Sequence, residues 1–432
     1  MKLKIAALAL ASAATLYSCT KSISINQQDE LKPNLPTTTF KYSEGKMPFG
    51  LGQVTSHTLV RPDFMGNGVF DMNNGLSSFN GSAEHVVVTD EGATLGRVLF
   101  YDPKLSLNNT VSCGSCHHQD KAFADGLAVS SGFEGRKTTR SSMAFCNTLL
   151  NNNLFWDSRS SDLNDLALQP VANHIEMGME DMSRLVTKLS KTSYYKPLFQ
   201  KAFGSEEITK EKIGAALSMF VGSIVTNNSK FDRAVAITAS TTTTDPNGIV
   251  SPGFNANDAE IAFNFDALPV DYNIFTALEK TGHDLFSTHC ASCHQAPNFA
   301  ADDRPNGAYG GGSGFNGGEN QRGATNIGLD LYDTDAGVPG KGTFRIPSLR
   351  NIALTAPYMH DGRFTTLEQV LDHYSGGIKP NPKLDAKFRN GNGSVKQMNL
   401  SNTDKQALIA FMNTLTDWDM VNNPMYSDPF KQ

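Results

Sequence analysis

Two copies of one short motif, Cys113-Gly-Ser-Cys116-His117 and Cys290-Ala-Ser-Cys293-His294, constrain this chain more than any other feature. Cys-x-x-Cys-His is the attachment signature of c-type haem. The two thiols add across the porphyrin vinyl groups while the adjacent histidine binds the iron, so one turn supplies both covalent anchors and the proximal ligand. Two copies imply two covalently bound haems c. A competing reading gathers Cys113, Cys116, Cys290 and Cys293 into one tetrahedral zinc site. It leaves His117 and His294 without a task, whereas haem explains both.

A length of 432 residues leaves room for two haem-binding cores and an extension. The net charge of -6 gives no reason to expect a nucleic-acid partner. At the start, Lys2 and Lys4 precede an apolar run from Ile5 to Leu16 and then Leu16-Tyr17-Ser18-Cys19. This predicts a secretory signal peptide over 1–18 with a lipobox-like end, too short to span a bilayer as a mature helix. Cys19 is then the expected lipidated residue, anchoring the protein on the periplasmic side of a bacterial membrane, where c-type haem is also attached. Of six cysteines, one goes to lipid and four to haem. The remaining one, Cys146, reads as a small buried apolar residue without a chemical role.

Residues 19–85, polar and rich in Asn, Gly, Ser and Thr, read as a tether and irregular extension. A first haem domain is expected over 86–237, where Ile213, Ala216, Leu217, Phe220 and Ile224 recur at helical spacing and strand-like alternation is scarce. The threonine run and Asp-Pro-Asn-Gly turn of 238–271 predict an inserted linker. A second haem domain follows over 272–420, and 421–432 form a tail. Within it, the Gly-rich stretch Gly307 to Gly318 lacks a Walker lysine, which argues against phosphate binding. Thr365 with Glu368, and Thr403 with Gln406, are capping-box patterns that open helices. The first helix would carry Leu367, Val370, Leu371 and Tyr374 on one face, the second Leu408, Ile409, Met412 and Leu415.

From about Gly92 to Asp417 the chain resembles the bacterial di-haem cytochrome c peroxidase superfamily, which includes the MauG enzymes. The matching stretches are Leu95 to Pro103, Phe155-Trp156-Asp157-Ser158-Arg159, Asn173 to Gly178, Lys230-Phe231-Asp232-Arg233 and Pro347 to Gly362. The resemblance implies a mainly α fold of two cytochrome c-like haem domains packed around a shared interface, with long irregular loops and a calcium ion between them. It implies that the first haem, with His117 as proximal ligand, handles peroxide, and that the second, on His294, passes electrons. Glu176 matches the catalytic carboxylate, Trp156 the tryptophan between the haems, and Pro170 a retained pocket residue. Thr355 and Pro357 match the carbonyls expected to bind calcium.

Four positions depart from the family's commonest pattern. Phe133 stands where other members place a histidine that blocks the resting first haem, so that haem is expected to be open; His118 is the nearby alternative ligand. Leu166 replaces a pocket glutamine, and Ser141 a calcium-binding asparagine. Tyr374 falls where many members have the methionine that ligates the second haem and where MauG has a tyrosine; Met359 is the other suitable ligand.

The leading expectation is a peroxidase that reduces hydrogen peroxide with electrons from a small cytochrome c or copper protein, with a homodimer as a further expectation. A MauG-like oxidase of a partner protein and a di-haem electron carrier without turnover are the other two readings.

Overall fold

Two helix crossings built on the same three residue types organise the computed structural model. It describes residues 30–46, 48, 87–151, 153–235, 241–244, 250–253, 265–300, 324–330, 336–337 and 340–431. Helix α1 (Asp90–Tyr101) starts where the Thr89 side chain accepts from the Gly92 amide, with Asp90 and Glu91 in its first turn, and stops at Asp102 before Pro103. It crosses the long helix Lys210–Ser223 at Gly96, where a Cβ would lie 1.9 Å from the Ala216 carbonyl oxygen and 2.8 Å from the Phe220 Cβ. Helix Ala277–His289 crosses Asn402–Asn413 in the same way: a Cβ on Gly282 would lie 2.0 Å from the Ala407 oxygen and 2.8 Å from the Phe411 Cβ. In both pairs a glycine admits the partner backbone and an Ala-x-x-x-Phe row receives it.

Between them, in chain order, lie α2 (Leu163–Ala172), α3 (Met182–Ser190), α4 (Tyr195–Phe203), α5 (Lys210–Ser223) and α6 (Lys230–Ala234). The later helices are α7 (Ala277–His289), α8 (Leu367–Asp372), α9 (Asn402–Asn413) and α10 (Trp418–Asn422). Strand is scarce among the described residues: three antiparallel pairs join Thr241–Thr244 to Val250–Gly253, Ala324–Thr325 to Phe344–Arg345, and Ala336–Gly337 to Gly340–Lys341. The fold is mainly helical, as the sequence predicts. No helix among the described residues is long and apolar enough to cross a membrane.

The repetition extends beyond the helices. Asn147 and Asn351 both adopt positive φ, and each donates its amide to the end of a crossing helix, to Ile224 O at 2.9 Å and Leu415 O at 3.0 Å. A closed turn follows in each half, bridged Leu154 to Ser160 and Tyr358 to Phe364. At one constant offset along the chain, Phe155 and Met359 take the first positive-φ position of this turn, Ser158 and Gly362 the second. In the same register Trp156 stands opposite His360, the N-caps Asp162 and Thr366 correspond, and Pro170 stands opposite Tyr374.

A buried ion pair ties α6 to the later part of the chain. Arg350, fully enclosed, donates two hydrogen bonds to the Asp232 carboxylate at 2.9 and 2.8 Å and a third from Nε to Pro297 O at 2.7 Å. Asp232 also caps its own helix through Ser229.

Two helix starts differ from the sequence expectation. The capping boxes are Thr366 with Gln369 and Ser401 with Asp404, not Thr365 with Glu368 or Thr403 with Gln406. Asp404 is short, yet its carboxylate reaches the Ser401 amide at 2.9 Å, so the helix opens two residues early. The 238–271 segment ends inside the core, with Phe265 and Leu268 buried, and Phe265 stacked on Phe231 at 5.9 Å. Residues 421–432 are held as well: Arg97 Nε donates to Ser427 O at 2.6 Å and the Tyr426 hydroxyl to Ser223 O at 2.8 Å. The chain divides into Met1–Lys32 and Pro33–Gln432, and all these elements belong to the second unit. The signal peptide, Cys19 and the Gly307 to Gly318 stretch lie outside the described residues.

In an exposed helix Gly→Ala gains roughly 0.8–1 kcal/mol. At Gly282 the sign reverses, because the new methyl meets a backbone carbonyl. Gly282→Ala is expected to lose about 1–3 kcal/mol in chemical denaturation of the haem-loaded protein. Gly391→Ala, with open space around its added methyl, is expected to change stability by less than about 0.5 kcal/mol.

Candidate haem site

Both motifs line one cavity of about 920 Å³, near the top of the roughly 300–1,000 Å³ span of ligand pockets. The first motif is a single 3-10 turn, Cys113–Ser115, in which the Cys116 and His117 amides both donate to Cys113 O, at 3.1 and 3.0 Å. Gly114 is required by the Tyr101 ring, which would lie 2.5 Å from a Cβ. The second motif continues from the C-terminal end of α7, and its Cys293 and His294 amides donate to Cys290 O at 3.0 and 2.9 Å.

His117 Nδ1 lies 2.7 Å from Phe123 O and His294 Nδ1 lies 3.0 Å from Phe299 O. A carbonyl only accepts, so each Nδ1 carries the proton and each Nε2 keeps its lone pair. Phe123 and Phe299 both adopt positive φ, which turns their carbonyls back onto the rings. Burial pushes the His117 pKa down and that of His294 down to about 4, keeping both rings in the neutral form that binds a metal. Burial also pushes the thiols up, Cys113 and Cys290 to about 12 and Cys116 to about 11. Among the described residues no group of three or more His, Cys, Asp and Glu is placed to hold a metal ion. The four-cysteine zinc site is therefore not formed, and the motif geometry fits haem c.

Around the first motif, α2 supplies Leu166 and Pro170 to the cavity wall, and the turn after it supplies Asn173 and Glu176. Asn173 Nδ2 donates to Glu176 Oε1 at 3.0 Å while its own Oδ1 accepts from the Ile175 amide at 2.8 Å, which fixes the carboxyl. Burial pushes the Glu176 pKa up, and the Arg159 charge opposes this. Phe133 is not in the cavity wall. Its amide donates to Ile175 O and Glu176 O, both at 2.9 Å, and its ring packs on Gly178, so it braces the segment that carries Glu176. His118 is not in the wall either; it faces Asp125 at 3.8 Å.

Around the second motif, Tyr374 and Met359 both line the cavity. Tyr374 sits in a π-turn, His373–Gly377, that continues α8, and its ring stacks on Phe388 at 5.8 Å. Its hydroxyl makes no hydrogen bond among the described residues. Burial pushes its pKa up, helped by the nearby Cys293 and Cys290 thiols. Trp156 also lines the cavity; its Nε1 donates to Ser141 O at 2.9 Å, and the Ser141 amide donates to His360 O at 2.7 Å. The Ser141 carbonyl is therefore already engaged, while Thr355 and Pro357 reach the cavity wall. Cys146 is buried among apolar residues.

Sequence reasoning missed Asn173, His360 and Arg350. Asn173 carried a signal, since an Asx residue before a tight turn bonds its own backbone. Arg350 and Asp232 both lie in matching stretches, but their pairing carried no signal, the two being far apart in the chain.

Residues 90–240 match the family model for di-haem cytochrome c peroxidase. The methylamine utilization protein MauG of Paracoccus denitrificans is 32% identical over 382 residues, covering 78% of this chain and 92% of that protein. The chain belongs to the di-haem cytochrome c peroxidase family. Cytochrome c551 peroxidase of Nitrosomonas europaea is 29% identical over 328 residues, covering 75% of this chain and 79% of that protein. Among solved structures, a MauG-like protein associated with microbial copper homeostasis is 31% identical with a TM-score of 0.59, covering 80% of this chain and 94% of that one. Membership of the di-haem family carries with it two haem c groups, in agreement with the two motifs.

The raised Glu176 pKa has a consequence for stability. As pH rises above the ordinary glutamate value of 4.5, the unfolded chain releases this proton while the fold retains it. Stability present at lower pH is thus lost as pH climbs through the folded pKa. Glu176→Gln is expected to match the parent near pH 4 and to exceed it at pH 7 in denaturation experiments; an equal loss at both pH values would contradict this.

Proposed function

We propose that this chain is a di-haem cytochrome c peroxidase that reduces hydrogen peroxide to water with electrons from a small cytochrome c or copper protein. The observation that carries the reading is the placement of Glu176, a buried carboxyl held by Asn173 in the cavity wall near the first motif, with neither Phe133 nor His118 turned into that wall. When bound, the haems supply the two electrons and the metal centre for O–O cleavage. The residues supply the proton handling. Glu176 takes a proton from the inner peroxide oxygen and delivers it to the outer one, so that water is the leaving group. Two electrons and two protons convert one peroxide into two waters. Leu166 and Pro170 give the site an apolar wall, which strengthens electrostatic interactions within it.

In this reading His117 and His294 would hold the haem irons through Nε2, and Tyr374 would be the other protein ligand of the second haem. It lines the same cavity as Cys290 and Cys293, as Met359 also does. A phenolate favours ferric and higher oxidation states, whereas a thioether raises the potential. Trp156 conducts electrons between the two sites. Domains of 86–237 and 272–420 each enclose one haem. A calcium ion bound by the Thr355 and Pro357 carbonyls, lipidation at Cys19, residence on the periplasmic side of the membrane and a homodimer complete the proposal.

Tyr374 and Phe133 also support a second reading, a MauG-like oxidase acting on a partner protein. Stopped-flow spectroscopy separates the two. After stoichiometric peroxide, a spectrum that returns rapidly on adding a reduced small cytochrome is expected; persistence of the oxidised state despite donor favours the oxidase, and no reaction favours a plain electron carrier. Glu176→Gln is expected to slow peroxide cleavage by about 10²-fold or more with both haems still attached.

A further inference from the structure

The charged groups beside the two motifs differ. At the first, carboxylates stand near: Glu176 lines the cavity with Cys113, Cys116 and His117, and the buried Asp125 faces His118, the residue after the motif, at 3.8 Å. At the second, an ammonium takes their place. Lys387 Nζ donates to the carbonyl of Ser292, inside the motif, at 2.8 Å and lies 3.6 Å from Cys293 Sγ.

Local structure holds that ammonium in position. Lys387 is the middle residue of a 3-10 turn, Ala386–Phe388, capped by Asp385, whose Oδ1 accepts from the Lys387 amide at 2.8 Å. Asp385 Oδ2 accepts from Thr325 Oγ1 at 2.8 Å, which fastens the turn to the short strand Ala324–Thr325. The next residue, Phe388, stacks on Tyr374. One short turn therefore touches the attachment motif through Lys387 and Tyr374 through Phe388.

We propose that Lys387 is a positioning residue for electrons: its charge, held against the second attachment turn, makes the second haem easier to reduce than Tyr374 ligation alone would leave it. The inference rests on the two-haem reading above. Reduction adds negative charge to a haem, so a cation beside it favours the reduced state and an anion opposes it. Asp385 works against Lys387, but both of its oxygens accept hydrogen bonds. Lys387 is half-buried, so solvent and salt screen it and the effect is modest.

The test uses the full haem-loaded chain and two variants, Lys387→Gln and Lys387→Arg, in spectroelectrochemical titrations that follow each haem separately. In Lys387→Gln the reduction equilibrium of the second haem is expected to fall three- to tenfold, tenfold being about 59 mV for one electron. The first haem stays unchanged, Lys387→Arg retains the parent value, and raised salt shrinks the difference. An unchanged second haem in Lys387→Gln, or equal shifts at both haems, overturns the proposal. So does a shift that Lys387→Arg fails to prevent and that comes with an altered second-haem ligand spectrum, since that is packing rather than charge. Mass and haem content of the parent protein give a separate reading: fewer than two haems per chain overturns the two-haem reading itself.

Discussion

The hydrogen bonds from His117 and His294 to the carbonyls of Phe123 and Phe299 are the constraint on which the site depends. An imidazole has two nitrogens, and a metal ligand must present one of them unprotonated. A carbonyl that only accepts resolves the choice of tautomer at Nδ1 and also orients the ring. Meeting that need twice requires two left-handed residues after two Cys-x-x-Cys-His turns, each anchored near the end of a helix in a crossing pair. The glycines at those crossings, the clamping asparagines Asn147 and Asn351 and the closed turns beyond them follow the same duplicated plan.

Function arises where the duplication breaks. Trp156 and His360 hold equivalent places, as do Pro170 and Tyr374, yet only the second of each pair offers a side-chain atom able to ligate iron. The first half follows its Pro170-bearing helix with Asn173 and Glu176, a carboxyl held in a cavity wall that includes neither Phe133 nor His118. The second half gives a phenol facing the cavity and a lysine against the attachment turn. In the proposed reading, one scaffold thus gives a peroxide site and an electron-transfer site through a handful of substitutions.

What was legible in the sequence was whatever short-range spacing encodes. The two motifs, the helix through Ile213 and Phe220, and the presence of Tyr374 at the second site all follow from local patterns. Helix starts were missed by one or two residues because an aspartate or a neighbouring threonine can complete a capping box as well as the residues chosen. Phe133 lies outside the cavity wall, and its bracing of the Glu176 segment depends on backbone bonds between distant parts of the chain. The Arg350 and Asp232 pair, and Lys387 over the second motif, are long-range encounters that no local period announces.

The central claim is that two motifs alike in sequence hold haems of unlike coordination, the first open and the second closed by Tyr374. Electron paramagnetic resonance of the resting ferric protein and of Tyr374→Phe tests it most directly. The account predicts one high-spin and one low-spin haem in the parent, with the low-spin signal changed or lost in the variant. Two low-spin haems in the parent, or an unaltered low-spin signal in Tyr374→Phe, would contradict it.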